Sequence, residues 1–332
     1  MTTLNKLWQR GCEFLGTDYA ILGGAMSWVS ERNLVSAISN AGGFGVIACG
    51  AMPVELLDAE IKATQQMTSK PFGVNLITMH PHLMDLIDVC IQNKVTHVVL
   101  AGGLPPADAI SKIKQAGLKL MCFAPTLTVA KKLVRLGCDA LVIEGAEAGG
   151  HIGPVSTSVL AQEILPHIID VPVFVAGGIG RGEAIANYLL MGASGVQLGT
   201  RFVCALECQA HPAFKKAFIR ASARDAVASV QLDPRLPVIP VRALENDASK
   251  KFTEFQREMI QKLDKGDVDL KEAQLQVEHF WGGALRRAVV DGDVQTGSVM
   301  AGQSVGLVKE EQPTHIIVSE LINQASDFLA RQ

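Results

Sequence analysis

The chain has 332 residues, 48% of them hydrophobic and 19% charged, enough apolar material for a large core that needs no metal or disulfide to hold it. A formal net charge of -3 and a pI near 6.2 lack the basic excess used to bind nucleic acid, so a polyanion is excluded as the main partner. No run of about 18 apolar residues occurs without a charge, and residues 1–10 lack a basic start with an apolar core behind it, so a cytoplasmic protein that neither spans nor enters a membrane is expected.

From residue 19 to residue 200, short apolar β-branched runs alternate with longer stretches of helical periodicity. Eight runs are read: Ala20 to Gly24, Gly45 to Cys49, Phe72 to Ile77, His97 to Gly102, Leu118 to Ala124, Ala140 to Gly145, Val171 to Gly178 and Gly195 to Gly199. Helices are predicted between them, among others over Glu55 to Met67, Leu83 to Asn93, Thr128 to Leu136 and Gly182 to Leu190. Strands apolar on both faces and joined by helices pair in parallel, and eight in succession close on themselves. The fold class expected is α/β, a (β/α)8 TIM barrel; an open doubly wound sheet competes, but it binds at its first turn, whereas the glycine-rich loops here follow the late runs. Seven cysteines form no CxxC pair and read as reduced and structural.

After Thr200 the repeat stops, and the segment to about Leu285 is polar, helix-like and broken by Pro234, Pro237 and Pro240. A mainly helical cap lobe inserted after the eighth strand is expected, giving a barrel over 1–204, a lobe over 205–284 and a return to the barrel over 285–332, which ends in an amphipathic helix from His315 to Ala330.

Reacting groups in a barrel gather where its strands end. Run seven ends in Ala176, Gly177 and Gly178, and run eight in Gln197, Gly199 and Thr200; glycines there let backbone N–H groups approach an anion, which points to a phosphate cradle. Run six ends in EGAEAGGHIG, Glu144 to Gly153, where four glycines, two acids and a histidine have no packing rationale. His151 is the candidate acid or base, its ordinary pKa lying near 6.5. Asn75, ending run three, can donate and accept at once. Gly43 and Gly45 precede a strand instead of following one, so no dinucleotide fingerprint is read; His80 and His82 lack a third ligand, so no metal site is expected. Glu207, Cys208 and His211 beside Pro212 read as a helix start in preference to a nucleophile.

Taken in order, GGAMSW (Gly23 to Trp28), AGGFGVI, KPFGVN, the EGAEAGGHIG loop, VPVFVAGGI, GVQLGTRF, ECQAHP and GALRRAVVDGDVQTGSVMAGQSVGL resemble the FMN-dependent barrel family of nitronate monooxygenases (2-nitropropane dioxygenases) and flavin-type enoyl-acyl-carrier-protein reductases, enoyl reductase II. The likeness runs over nearly the whole chain, and the closing segment and the GGHIG wording resemble the reductase branch more.

The resemblance implies FMN, with Gly24, Ala25 and Met26 along its ring, Asn75 at the ring's polar edge, and Glu144 and His151 near ring and substrate. Ala176, Gly177 and Gly178 hold the phosphate from one side and Gln197, Gly199 and Thr200 from the other, while Met300, Ala301, Gly302 and Gln303 fold back over the site. It implies NADH or NADPH as electron donor, an enoyl thioester on acyl carrier protein as substrate, and a homodimer. His151 then polarises the thioester or supplies a proton, with nitronate oxidation as the alternative activity. Phe252, Phe255, Met259, Phe280 and Trp281 are candidates to wall an acyl channel, and Lys215, Lys216, Arg220 and Arg224 to face an acidic carrier from one helix face. One departure stands out: the family has two glycines before the methionine, and here the second is Ala25, with Gly23 where a larger residue is common.

Overall fold

The computed structural model describes residues 2–50, 52–236 and 240–332. Eight parallel strands form a closed barrel: β1 (Ile21–Gly23), β2 (Phe44–Ala48), β3 (Phe72–Ile77), β4 (His97–Ala101), β5 (Lys119–Phe123), β6 (Ala140–Glu144), β8 (Val173–Ala176) and β9 (Gly195–Leu198). Each falls on one of the eight apolar runs. The last pairs with the first, Ile21 opposite Val196 and Gly23 opposite Leu198, which rules out the open sheet. β2, β8 and β9 are buried along their whole length because the barrel interior covers one face and helices the other.

The connecting helices lie within a residue of expectation, at Val54–Met67, Leu83–Gln92, Leu127–Arg135 and Gly182–Leu190. The closing helix Thr314–Ala330 packs on Gly182–Leu190 so tightly that a Cβ on Gly182 would lie 2.1 Å from the Leu321 carbonyl oxygen. Only glycine admits that crossing.

The segment after β9 is a mainly helical lobe, as expected, with a small sheet beside the helices. Helices Asp247–Lys265 and Leu270–Gly282 are present, but β10 (Ala226–Ala228) and β11 (Val241–Leu244) pair antiparallel, and β11 also takes up β7 (Gly150–His151) from the loop after β6. A separate small core joins Phe252, Met259, Ala273 and Val277 to Leu236 and Val241. Phe252 and Met259 are fully buried there, so they are lobe core and cannot wall an open channel; Phe255 and Phe280 pack at its margin, and the side chain of Trp281 lies outside the described residues.

The basic helix face is not formed. Lys215 is 5% exposed and spends its ammonium on the Ala205 carbonyl (2.8 Å) and Glu311 (3.0 Å), and Arg224 lies beyond the end of helix Pro212–Arg220. Spacing alone did not distinguish the buried side of that helix from the wet one. His211 caps the same helix by accepting from Ala213 N, Glu207 accepts from Thr314 N and Oγ1, and Cys208 is buried, which is the structural reading of that segment. Among the described residues no helix is long and apolar enough to cross a membrane.

Candidate active site

Ala176 stands in register with Gln197, so the turns that end β8 and β9 are neighbours at one end of the barrel. Gly177 (φ +97°) and Gly178 (φ +72°) are both left-handed, and a Cβ on Gly177 would come within 2.9 Å of Thr157 Oγ1 and 3.0 Å of the Gly145 carbonyl oxygen. Among the described residues, the N–H groups of Gly177, Gly178, Gly199 and Thr200 donate to no protein acceptor. Four unpaired amides on adjacent turns make a concave set of partial positive charges suited to a phosphate.

The floor beside them is fixed by Glu147. Its carboxylate accepts from Thr157 N and Oγ1, both at 2.8 Å, and its carbonyl accepts from Gln303 N at 2.9 Å. Gly302 N donates to Thr200 Oγ1 at 3.0 Å. The Met300–Gln303 segment is therefore tied to both the loop after β6 and the turn after β9, as its expected return to the site requires. A cavity of about 460 Å³ opens here, lined by Gly177, Gly178, Glu147, Gln303 and Ser304 and also by Tyr188, Ser222 and Ala223. The last three carry no motif and were not anticipated.

A second group of expected residues surrounds the end of β1. Gly24 packs on the Gln197 side chain, where an added Cβ would lie 3.2 Å from Nε2, and Met26 Sδ lies 3.3 Å from the corresponding position on Gly199. Ala25 is half-buried. The unusual Gly23 has a packing cause: a Cβ would stand 2.4 Å from Ile38 Cδ1 of the following helix. Asn75 is buried on β3, its Nδ2 donating to the Val99 carbonyl at 3.3 Å. The amide oxygen remains available to accept.

Glu144 ends β6 opposite Ala176. It keeps some surface, but its carboxyl is enclosed enough that burial raises its pKa to about 7, and it has no hydrogen bond or ion pair among the described residues. A half-protonated carboxyl at neutral pH, aimed at no protein partner, is a functional candidate on physical grounds.

His151 is not on the barrel itself. It is held on β7 opposite Val241, where it is solvent-accessible, and partial desolvation by the surrounding chain lowers its pKa, which favours the neutral imidazole at pH 7. Arg242 secures this arrangement: its Nε donates to the Ala146 carbonyl at 2.9 Å and its Nη1 to that of Ala226. Ala243 bridges to Met300, whose Sδ lies 3.6 Å from where a Gly150 Cβ would be, so the histidine strand and the returning tail touch. His80 Nδ1 accepts from His82 N, the His82 ring pairs with Asp85, and among the described residues no cluster of His, Cys, Asp or Glu is arranged for a metal.

The family model described as nitronate monooxygenase matches residues 9–324. The chain belongs to the nitronate monooxygenase family. This member is similar along its length to FabK from Thermotoga maritima, with 36% identity, 97% of each chain covered and a TM-score of 0.87. It is also similar to a nitroalkane oxidase from Streptomyces ansochromogenes, with 25% identity over 95% of this chain and 98% of the other, and a TM-score of 0.78. A third relative is the (3aS,4S,5R,7aS)-5-hydroxy-7a-methyl-1-oxo-octahydro-1H-indene-4-carboxyl-CoA dehydrogenase of Rhodococcus jostii (strain RHA1), 30% identical with 91% of each chain covered. The nitronate monooxygenase family member is an FMN-dependent oxidoreductase. Its free amides, Cβ-intolerant glycines, open Asn75 amide oxygen and unpartnered Glu144 carboxyl fit a ligand that carries a phosphate and a polar heterocycle.

Proposed function

We propose that the protein reduces trans-2-enoyl thioesters with NADH or NADPH. The observation carrying this reading is the full-length likeness to FabK, an enoyl reductase II, in a chain whose histidine-bearing strand lies against the tail returning over the cradle. The Rhodococcus relative supports the broader class of acyl thioester substrates, since its name is that of a carboxyl-CoA dehydrogenase.

On this reading the amides of Gly177, Gly178, Gly199 and Thr200 hold the terminal phosphate, and Asn75 and Glu144 offer polar contacts to the ring. FMN, when bound, supplies a ring that takes hydride from a nicotinamide and delivers it to the β-carbon of an activated alkene. Neutral His151 donates a hydrogen bond to the thioester carbonyl, stabilising the charge that develops on it. It relays a proton from solvent to the α-carbon, taking it up at one ring nitrogen as it releases the proton on the other, so that the imidazole ends neutral. Met300 and its neighbours limit water above the pocket.

Anaerobic spectra of the purified yellow protein test this. NADH or NADPH is expected to bleach the flavin and crotonyl-CoA to restore its colour, and indifference to both would end the reading. The family model and the Streptomyces neighbour favour a second activity, oxidation of alkyl nitronates with O2, for which His151 would serve as base. Oxygen uptake on adding a nitronate, without any response to nicotinamide, is its signature.

A further inference from the structure

The turn after β1 presents an exposed tryptophan in a conformation that bulky residues avoid. Trp28 has φ +67° and is 46% exposed. Four hydrogen bonds fix the turn: Met26 N donates to Ser30 Oγ (3.0 Å), Ser30 Oγ to the Gly24 carbonyl (2.9 Å), and Val29 N (3.0 Å) and Ser30 N (2.8 Å) to the Met26 carbonyl. Val29 is buried, so its neighbour is turned outward. Glycine would satisfy that backbone without strain. A large aromatic there has no folding rationale.

Arg286, from helix Ala284–Val289, lies over this indole with its guanidinium carbon 5.8 Å from the ring centre. Asp291 anchors the guanidinium through Nη1 alone, at 3.0 and 3.3 Å. Among the described residues Nε and Nη2 have no acceptor. An open aromatic surface beside a half-committed guanidinium suits a flat heterocycle joined to a phosphate: the base stacks, and the fork takes the phosphate oxygens. Trp28 lies two residues from Met26, which touches Gly199 of the cradle, so the platform stands beside the candidate cofactor site.

We propose that Trp28 and Arg286 bind the adenosine diphosphate portion of a reactant. NAD(P)H and coenzyme A thioesters share this chemistry, and the choice of these two sources rests on the enoyl-thioester reading above. The platform itself needs only the indole and the guanidinium.

Calorimetric titration of the FMN-loaded protein with ADP tests the binding. Trp28→Gly relieves the backbone and removes the stacking surface, so it should fold with its flavin and weaken ADP binding about tenfold, the scale of one base–aromatic stack. Trp28→Phe should keep most of the affinity, and Arg286→Gln should weaken it and reduce its salt dependence. Undiminished ADP binding by Trp28→Gly, or no saturable binding by the parent protein, overturns the proposal. The source is read from KM: a tenfold rise in Trp28→Gly for NADH or NADPH in flavin bleaching assigns the nicotinamide, and a rise for crotonyl-CoA in reoxidation assigns the thioester. Unchanged constants for both overturn it too. Should neither nicotinamide bleach the flavin, the enoyl-reductase reading falls while the ADP titration still decides the platform.

Discussion

Alanine at Gly177 would place a methyl 2.9 Å from the Thr157 hydroxyl at a φ of +97°, so both the space and the backbone oppose it. Strain of this kind costs about 1–3 kcal/mol. Gly177→Ala is therefore expected to lower the melting temperature and to purify with little flavin, which the ratio of visible to ultraviolet absorbance measures. Glu144 gives a prediction of the opposite kind, in which a charge is removed. Its pKa in the folded chain, about 7, exceeds the ordinary 4.5, so the native state holds a proton that the unfolded chain releases. Stability from this group is complete below pH 4.5 and is lost as pH rises through about 7. In flavin-free protein, Glu144→Gln should flatten the fall of melting temperature between pH 5 and pH 8, and an unchanged slope would show the carboxyl to be better solvated than its surroundings indicate. Glycine clusters and His151 were legible as residues because their types are costly where they stand. The role of Glu147, a cap on Thr157, was not, since one acid in a loop looks like another until its partner is in place.

His151 owes its place to an element of two residues. β7 exists because β11 runs beside it, and β11 is held to the loop after β6 by the guanidinium of Arg242. Arg242→Ala should leave flavin content unchanged and cut turnover about tenfold or more, since small displacements of a positioned group cost large factors in rate. Comparing kcat with bound-flavin absorbance checks this, and equal losses in both would instead make Arg242 part of the cofactor site. The strands of this small sheet were illegible in sequence. Ala226–Ala228 and Val241–Leu244 are three and four residues long, too short for an alternating pattern, and Gly150–His151 reads as loop because nothing local favours a strand there. The barrel strands were readable for the converse reason, being β-branched, punctuated and repeated eight times.

Across the whole molecule, closure of β9 on β1 brings the strand ends to one end of a closed barrel: Gly24, Asn75, Glu144, Gly177 and Gly199 each lie in or just after a different strand, and Gln303 returns to them from the tail. Periodicity predicts that such turns share one face of a barrel. It does not predict which helix of the appended lobe buries its apolar side, and for that reason Phe252 and Met259 belong to a lobe core, not to a channel. The tail contributes through Gly302 and Gln303, long-range contacts with no local trace. On the proposed reading all these parts meet one physical demand, that unpaired amides of two adjacent turns take up a flavin's phosphate. The direct measurement is the dissociation constant of the deflavinated protein for FMN against riboflavin, read from quenching of flavin fluorescence. Charge-assisted hydrogen bonds are worth about 1.5–3 kcal/mol each, so FMN should bind at least about 100-fold more tightly. Equal affinities would contradict the account, because a cradle indifferent to phosphate is not a phosphate cradle.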